Sequence, residues 1–287
     1  MEYDVVIVGA GPSGLSTAIK LKQLDSNLNI CILEKGAEVG SHILSGNVFE
    51  TRALDELIPK WKEQGAPIKV KVSKEKFLFL GKKKYLSWPT WLLPPVQKNH
   101  NNYIISLANY CRWLAEQAEK LGVEIFPGFP ASEILYKDDG SVKGVATQDM
   151  GIDKNGAKKE GYEPGMELNA KVTVFAEGCR GHLGKELIKK YKLNEGKSPQ
   201  QYGIGFKEIW EVNTDQHQEG LVMHTIGWPL DKKTYGGSFI YHAENKQILI
   251  GYVIGLDYQN PHLSPFDEFQ RFKTHNAIKK ILEGGKR

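Results

Sequence analysis

The sequence predicts an α/β protein with a ββα-type Rossmann unit at the N-terminus and an antiparallel sheet in the C-terminal third. Three observations carry this. Residues 4–8 (DVVIV) form a short, continuous, β-branched run, as in a strand buried on both faces of a parallel sheet. A glycine-rich turn and a helical pattern follow directly. From Gly203 the pattern becomes a succession of apolar runs separated by turn segments, which reads as a separate antiparallel layer.

The turn is Gly9-Ala10-Gly11-Pro12-Ser13-Gly14, and Leu15, Ala18, Ile19 and Leu21 continue it at helical spacing. A second strand, Ile30 to Leu33, ends in Glu34 and Lys35. Each glycine has a physical task. Gly9 permits the tight turn, Gly11 lets the backbone approach a pyrophosphate, and Gly14 lets helix pack on strand. The helix N-terminus offers free N–H groups and partial positive charge to phosphates. Glu34 follows Gly14 by 20 residues, the distance at which an acid bonds a ribose hydroxyl. Strand, turn, helix, strand and acid in this order predict dinucleotide binding. The alternative is an ordinary tight turn with a surface Glu.

The loop Gly40-Ser41-His42-Ile43-Leu44-Ser45-Gly46-Asn47 comes next. In a fold of this kind it can border a bound cofactor, which makes His42, Ser45 and Gly46 candidates. His42 reads either as an acid/base group or as a loop histidine with a local hydrogen bond. Residues 77–95 (FLFLGKKKYLSWPTWLLPP) read as a hairpin of Phe77, Leu78, Phe79 and Leu80 against Tyr85 to Trp91, with a lysine turn. Tyr85, Trp88 and Trp91 beside lysines, with Leu92 and Leu93, suit a membrane interface. A hairpin packed on the protein's own core is the other reading. Residues 103–121 carry a helical stripe that includes Cys111, closed by Gly122. Residues 132–136 and 142–147 pair across Asp138-Asp139-Gly140, and 149–169 read as a loop or second hairpin.

In the C-terminal third, GIGFKEIWEV, GLVMHTIGW, GGSFIYH and QILIGYVIGL are the strands. Glycine weakens a strand and marks a close approach, so Gly236-Gly237 implies a visitor. Ser264-Pro265 opens a helix as cap and first residue.

Composition narrows the function. The 287 residues are 40% hydrophobic and carry a net charge of +4, too little to argue for nucleic acid. Cys31, Cys111 and Cys179 are scattered, without CxxC or zinc spacing, so no metal ligand is assigned and a reducing compartment fits. The N-terminus lacks the basic-then-apolar lead of a signal peptide, and no run of eighteen apolar residues occurs.

A second cofactor motif lies at residues 171–181 (KVTVFAEGCRG). An apolar strand followed by Ala176, Glu177 and Gly178 resembles the returning strand of the glutathione-reductase-like FAD domains, and this favours FAD over NAD. GAGPSGLSTAIKLKQL, SHILSGN, VTVFAEGCRGHLGKEL, GWPLDKKTYGGSFIYH, GLDYQNPHLSPFDEFQRFKTH and ILEGGKR together resemble electron transfer flavoprotein–ubiquinone oxidoreductase. The resemblance implies FAD and a 4Fe-4S cluster, with electrons passed from reduced electron transfer flavoprotein to ubiquinone at one face of a membrane. It implies a ubiquinone site at Tyr235, Gly236 and Gly237 and a hairpin in the bilayer. Tyr235 and His242 are then candidates to give protons to the quinone. No residue of this chain is assigned to the cluster, whose four cysteines the family carries in a further segment.

The implied division is an FAD-binding domain at 1–76 and 101–185, a membrane-facing hairpin at 77–100, and an antiparallel quinone-binding domain at 186–287. The expected location is the cytoplasmic face of a bacterial inner membrane, or else the matrix side of the mitochondrial inner membrane. An FAD-dependent monooxygenase, a prenyl-lipid reductase and a non-catalytic fragment stay open as alternatives.

Overall fold

The computed structural model describes residues 1–44 and 46–287; Ser45 lies outside the described residues. From the N-terminus come β1 (Glu2–Val8), α1 (Pro12–Leu24), β2 (Ile30–Glu34), β3 (Asn47–Phe49), α2 (Arg52–Leu57) and β4 (Val70–Lys71). Next are β5 (Lys74–Leu80), β6 (Tyr85–Trp88), β7 (Tyr103–Ile105), α3 (Leu107–Lys120), β8 (Glu124–Pro127), β9 (Ala131–Tyr136) and β10 (Val142–Thr147). Then follow β11 (Met150–Ile152), β12 (Lys158–Glu163), β13 (Glu167–Phe175) and α4 (His182–Lys190). The chain continues through β14 (Gly203–Glu211), β15 (Leu221–Gly227), β16 (Gly236–His242), β17 (Gln247–Gly255), α5 (Pro265–Lys273) and α6 (Asn276–Leu282). Two compact units result: residues 1–43, 57–59 and 107–198, and residues 44–56, 60–106 and 199–287.

The first unit is built on a six-stranded sheet in the order β8-β2-β1-β13-β10-β9. Strands β8, β2, β1 and β13 are parallel, and β10 and β9 complete the sheet antiparallel. Strand β1 lies between β2 and β13, which is why DVVIV is apolar on both faces. Leu15, Ala18 and Ile19 of α1 are buried. Helix α3 buries Ala108, Cys111, Leu114, Ala115 and Ala118. Burial pushes the thiols of Cys31 and Cys111 up to about 12, so both are small core side chains rather than nucleophiles. Residues 150–163 form the hairpin β11-β12.

One boundary differs from expectation. The helical pattern starting at Tyr103 becomes strand β7 first and helix only from Leu107. Strand β7 is central in the small sheet β3-β7-β4 of the second unit, and Ile104 and Ile105 are buried. Two β-branched residues with partners on both sides favour strand over the first turn of a helix.

The second unit has a six-stranded sheet in the order β14-β17-β16-β15-β5-β6. All neighbours are antiparallel except β15 and β5, which run parallel, Met223 opposite Lys76. That pairing brings the hairpin β5-β6 into the C-terminal sheet, so it is part of a larger sheet and not an appendage. One face (Leu78, Leu80, Met223, Ile240, Ile250, Tyr252, Ile254) packs on Phe269 and Phe272 of α5 and Ile278 of α6. The other (Val222, Tyr241, Leu249) packs with Val70, Val72 and Ile104. Alternate residues of β16 and β17 serve the two faces, the period-two pattern of a sheet buried on both sides. Helix α5 starts as expected: the Ser264 hydroxyl accepts from Asp267 N–H at 3.3 Å, and Pro265 is the first helical residue.

Candidate cofactor cavity and glycine-pair strand

A cavity of about 800 Å³ opens in the first unit at the carboxyl ends of β1, β2 and β13, within the range of cofactor sites. Gly9, Ala10, Gly11, Pro12 and Ser13 line it, with Glu34, Lys35 and His42, and with Ala176, Glu177 and Gly178 from the far side. Val8 sits beside Phe175 in the parallel pair β1-β13, which is what brings the two motifs together.

The three glycines of the turn do different work. A Cβ on Gly14 would lie 2.0 Å from the Gly9 carbonyl oxygen. A Cβ on Gly9, whose φ is +106°, would lie 2.5 Å from the Ala176 oxygen. Both are demanded by the chain's own packing. Gly11 has nothing within 4 Å of the Cβ position, so it faces open space. Helix α1 starts directly behind it, with Gly11 as N-cap and no side chain to satisfy its first N–H groups. This is a cradle for an anion.

Two carboxylates sit in the cavity wall. Glu34 accepts from Ala10 N–H at 3.0 Å and from Gly36 N–H at 2.7 Å, which fixes its plane and leaves lone pairs for a hydroxyl donor. Glu177 accepts from Gly184 N–H at 2.7 Å and Leu183 N–H at 3.3 Å, and His182 Nδ1 lies 3.4 Å away. These are first-turn groups of α4, so Glu177 fills that helix N-terminus as its anionic cap. A Cβ on Gly181 would lie 2.4 Å from the Glu177 Cβ, which explains that glycine. Two helix N-termini thus border one cavity. One is open, the other is occupied by the chain's own carboxylate, and an anionic ligand group is directed to α1. Glu177, expected as a cofactor-binding residue, lines the cavity, and its carboxylate also holds the first turn of α4. Arg180 and His182 also line the cavity and were not singled out from the sequence, although they directly follow the AEG segment.

Gly46 belongs to the second unit, with φ +86° and a Cβ position 2.7 Å from Leu249 Cδ1. Its carbonyl accepts from the Lys207 ammonium. Burial brings the Lys207 amine down to about 8.

In the second unit, Gly236 and Gly237 open β16 opposite Ile254 and Val253. A Cβ on Gly236 would meet the Val253 oxygen at 2.5 Å, and one on Gly237 the Thr225 oxygen at 2.6 Å. The visitor inferred from the paired glycines is, first of all, the neighbouring strands. Tyr235 is 80% exposed just before them, and its carbonyl accepts from Gly255 N–H at 2.8 Å. His242 ends the same strand, five residues beyond Gly237 and about 17 Å away at strand rise. It is 1% exposed, and its Nδ1 accepts from Gln218 N–H at 3.0 Å. Burial, with the charges of His217 and Lys76, depresses it to about 4. Position and ionisation both remove His242 as proton donor at the glycine pair.

The hairpin residues divide into two groups. Leu78 and Leu80 are buried in the core of their own unit, and Leu93 is buried too, so these three do not face outward, contrary to expectation. Phe77 is half-buried. Phe79, Tyr85, Trp88, Trp91 and Leu92 point outward, joined by Leu86 and Val96, which the sequence reading passed over.

A family model described as the ubiquinone-binding region of ETF-QO matches residues 202–287, and one for the Thi4 family matches residues 1–58. Over its full length the chain is 56% identical to electron transfer flavoprotein-ubiquinone oxidoreductase of Pseudomonas aeruginosa, covering 53% of that protein. It is 55% identical over 99% of its length to the mitochondrial protein of Oryza sativa, covering 50% of it, and 53% identical throughout to that of Sus scrofa, covering 47%. Along its whole length this chain is similar to the electron transfer flavoprotein–ubiquinone oxidoreductases. It spans about half the length of the curated relatives it matches.

Solved structures agree on the fold. A geranylgeranyl bacteriochlorophyll reductase-like protein of Thermoplasma acidophilum superposes with a TM-score of 0.69 at 18% identity, over 99% of this chain and 64% of that one. The flavin-dependent brominase Bmp2 gives 0.67 at 16%, over 100% and 65%. At such identities the likeness shows the fold alone.

Proposed function

We propose that this chain is the FAD- and ubiquinone-binding portion of an electron transfer flavoprotein–ubiquinone oxidoreductase. The observation that carries the reading is the joining of a dinucleotide cavity with one open helix N-terminus to the residue 202–287 match, in a chain 56% identical to a member throughout. The cavity fits FAD: Gly11 and the first turn of α1 would take the pyrophosphate, Glu34 a ribose hydroxyl, and Ala176 and Gly178 the facing wall. When bound, FAD supplies the one- and two-electron chemistry that links a flavoprotein donor to a quinone. The chain's own residues bind and orient. Glu34 holds the Gly9–Gly14 turn to β2 through Ala10, and Glu177 keeps α4 in register beside it.

In this reading reduced electron transfer flavoprotein is the donor and ubiquinone the acceptor. Tyr235, Gly236 and Gly237 form the quinone contact, and the outward hairpin residues rest on a membrane face. No helix among the described residues is long and apolar enough to cross a membrane. The residues present do not fit a 4Fe-4S cluster. Cys31 and Cys111 are buried apart in β2 and α3, Cys179 is exposed, and no three His, Cys, Asp or Glu side chains gather among the described residues. The cluster implied by the resemblance is therefore not assigned to this chain.

The test is flavin reduction in rapid mixing. Bound flavin should bleach with reduced electron transfer flavoprotein and recover with a ubiquinone analogue, while NADPH leaves it oxidised. Fast bleaching by NADPH would overturn the reading in favour of a monooxygenase or prenyl reductase.

A further inference from the structure

The segment from Phe77 to Lys98 contains four lysines and no acidic residue. Without those four, Lys plus Arg would equal Asp plus Glu at 34 each, so the net charge of the whole chain equals the charge of this one segment. Three of the lysines, Lys82, Lys83 and Lys84, are exposed and consecutive in the turn between β5 and β6. Gly81 N–H donates to the Lys84 carbonyl at 2.8 Å, and Leu80 stands opposite Tyr85, so the turn is closed and holds the three exposed lysines within four residues. Among the described residues no carboxylate forms an ion pair with any of them.

The same turn is bordered by outward apolar groups. All four residues of the edge strand β6 are exposed. The two 3₁₀ turns that follow, Thr90–Leu92 and Pro95–Gln97, carry Trp91 at 74% and Val96 at 93% exposure. Indole, phenol and aliphatic groups beside unpaired ammonium groups match the boundary between acyl chains and headgroups. Neutral headgroups would serve the aromatic residues alone. Only acidic headgroups also serve three unpaired charges.

We infer that this hairpin docks on a bilayer bearing anionic phospholipid, with Lys82, Lys83 and Lys84 as the headgroup-selecting residues. The inference rests on the membrane-surface reading above and adds the lipid class. The test is co-sedimentation of the full chain with vesicles of phosphatidylcholine alone and of phosphatidylcholine with phosphatidylglycerol. Binding should be strong only with phosphatidylglycerol and should weaken as salt is raised. The triple substitution K82Q, K83Q and K84Q should lower it about 100-fold. The lysines are exposed turn residues, so an unchanged melting temperature shows that the variant is folded. Equal binding to both vesicles, or binding unaffected by the triple substitution, overturns the headgroup inference and leaves the membrane surface standing. Binding to neither vesicle overturns both.

Discussion

Two glycine clusters invite comparison: Gly9, Gly11 and Gly14 at the head of α1, and Gly236 and Gly237 at the head of β16. Both look like ligand-approach motifs. In the first, two of the three glycines are compelled by the chain's own backbone, and only Gly11 has open space before it. In the second, both positions collide with neighbouring strands before any ligand enters. A glycine is first explained by what its missing Cβ would strike. What is left over is the ligand signal, and by that rule Gly11 points outward while the pair in β16 does not do so by itself.

Substitutions can break this comparison, and the largest effect belongs to Gly14. A methyl group 2.0 Å from a carbonyl oxygen leaves no room for adjustment, so Gly14→Ala should destabilise the first unit by about 3 kcal/mol or more in chemical denaturation. Near-normal stability would mean that helix and strand separate more easily than packed elements do.

The next effect is at the far end of β16. His242 has a folded value near 4 against an ordinary 6.5. The unfolded chain therefore binds the proton first as pH falls. The associated stability is intact above about 6.5 and is lost between 6.5 and 4, about 3 kcal/mol at most. A denaturation series across that window should show the slope, and His242→Leu should flatten it.

Gly237→Ala should cost about 1–3 kcal/mol through the Thr225 oxygen. Affinity for a ubiquinone analogue that falls without any change in melting temperature would restore the ligand as the reason for this glycine. Gly11→Ala is the opposite case. Its φ of −78° accepts alanine, but alanine is the poorer N-cap, so the two effects offset and stability should change by less than about 1 kcal/mol while retained flavin falls about tenfold or more, read by gel filtration and absorbance. The smallest stability effect is at Tyr235, where exposure limits Tyr235→Ala to about 0.5 kcal/mol. Quinone-analogue affinity should still drop, which makes Tyr235 a cleaner probe of that site than either glycine.

Much of this was legible beforehand. The strand at β1, the turn, Glu34, the returning strand with Ala176 to Gly178, and the four C-terminal strands follow from local pattern. Less legible were α4, whose first turn is held by a carboxylate five residues before its start, and β7, whose partners are distant in sequence. The same holds for the hairpin. Its two strands could be read locally, but the parallel pairing with β15 that buries Leu78 and Leu80 could not.

The amino-acid sequence by itself determined the FAD-type fold, the dinucleotide turn and the similarity to electron transfer flavoprotein–ubiquinone oxidoreductases. These rest on short-range periodicity, on backbone conformations open to few residues, and on identity along the whole chain. Only the tertiary structure decided which helix N-terminus is open, which hairpin residues face outward, and why the paired glycines of β16 are there. Those answers depend on atoms contributed by segments far apart in the chain, and their separation of a few ångströms appears only once the strands are paired.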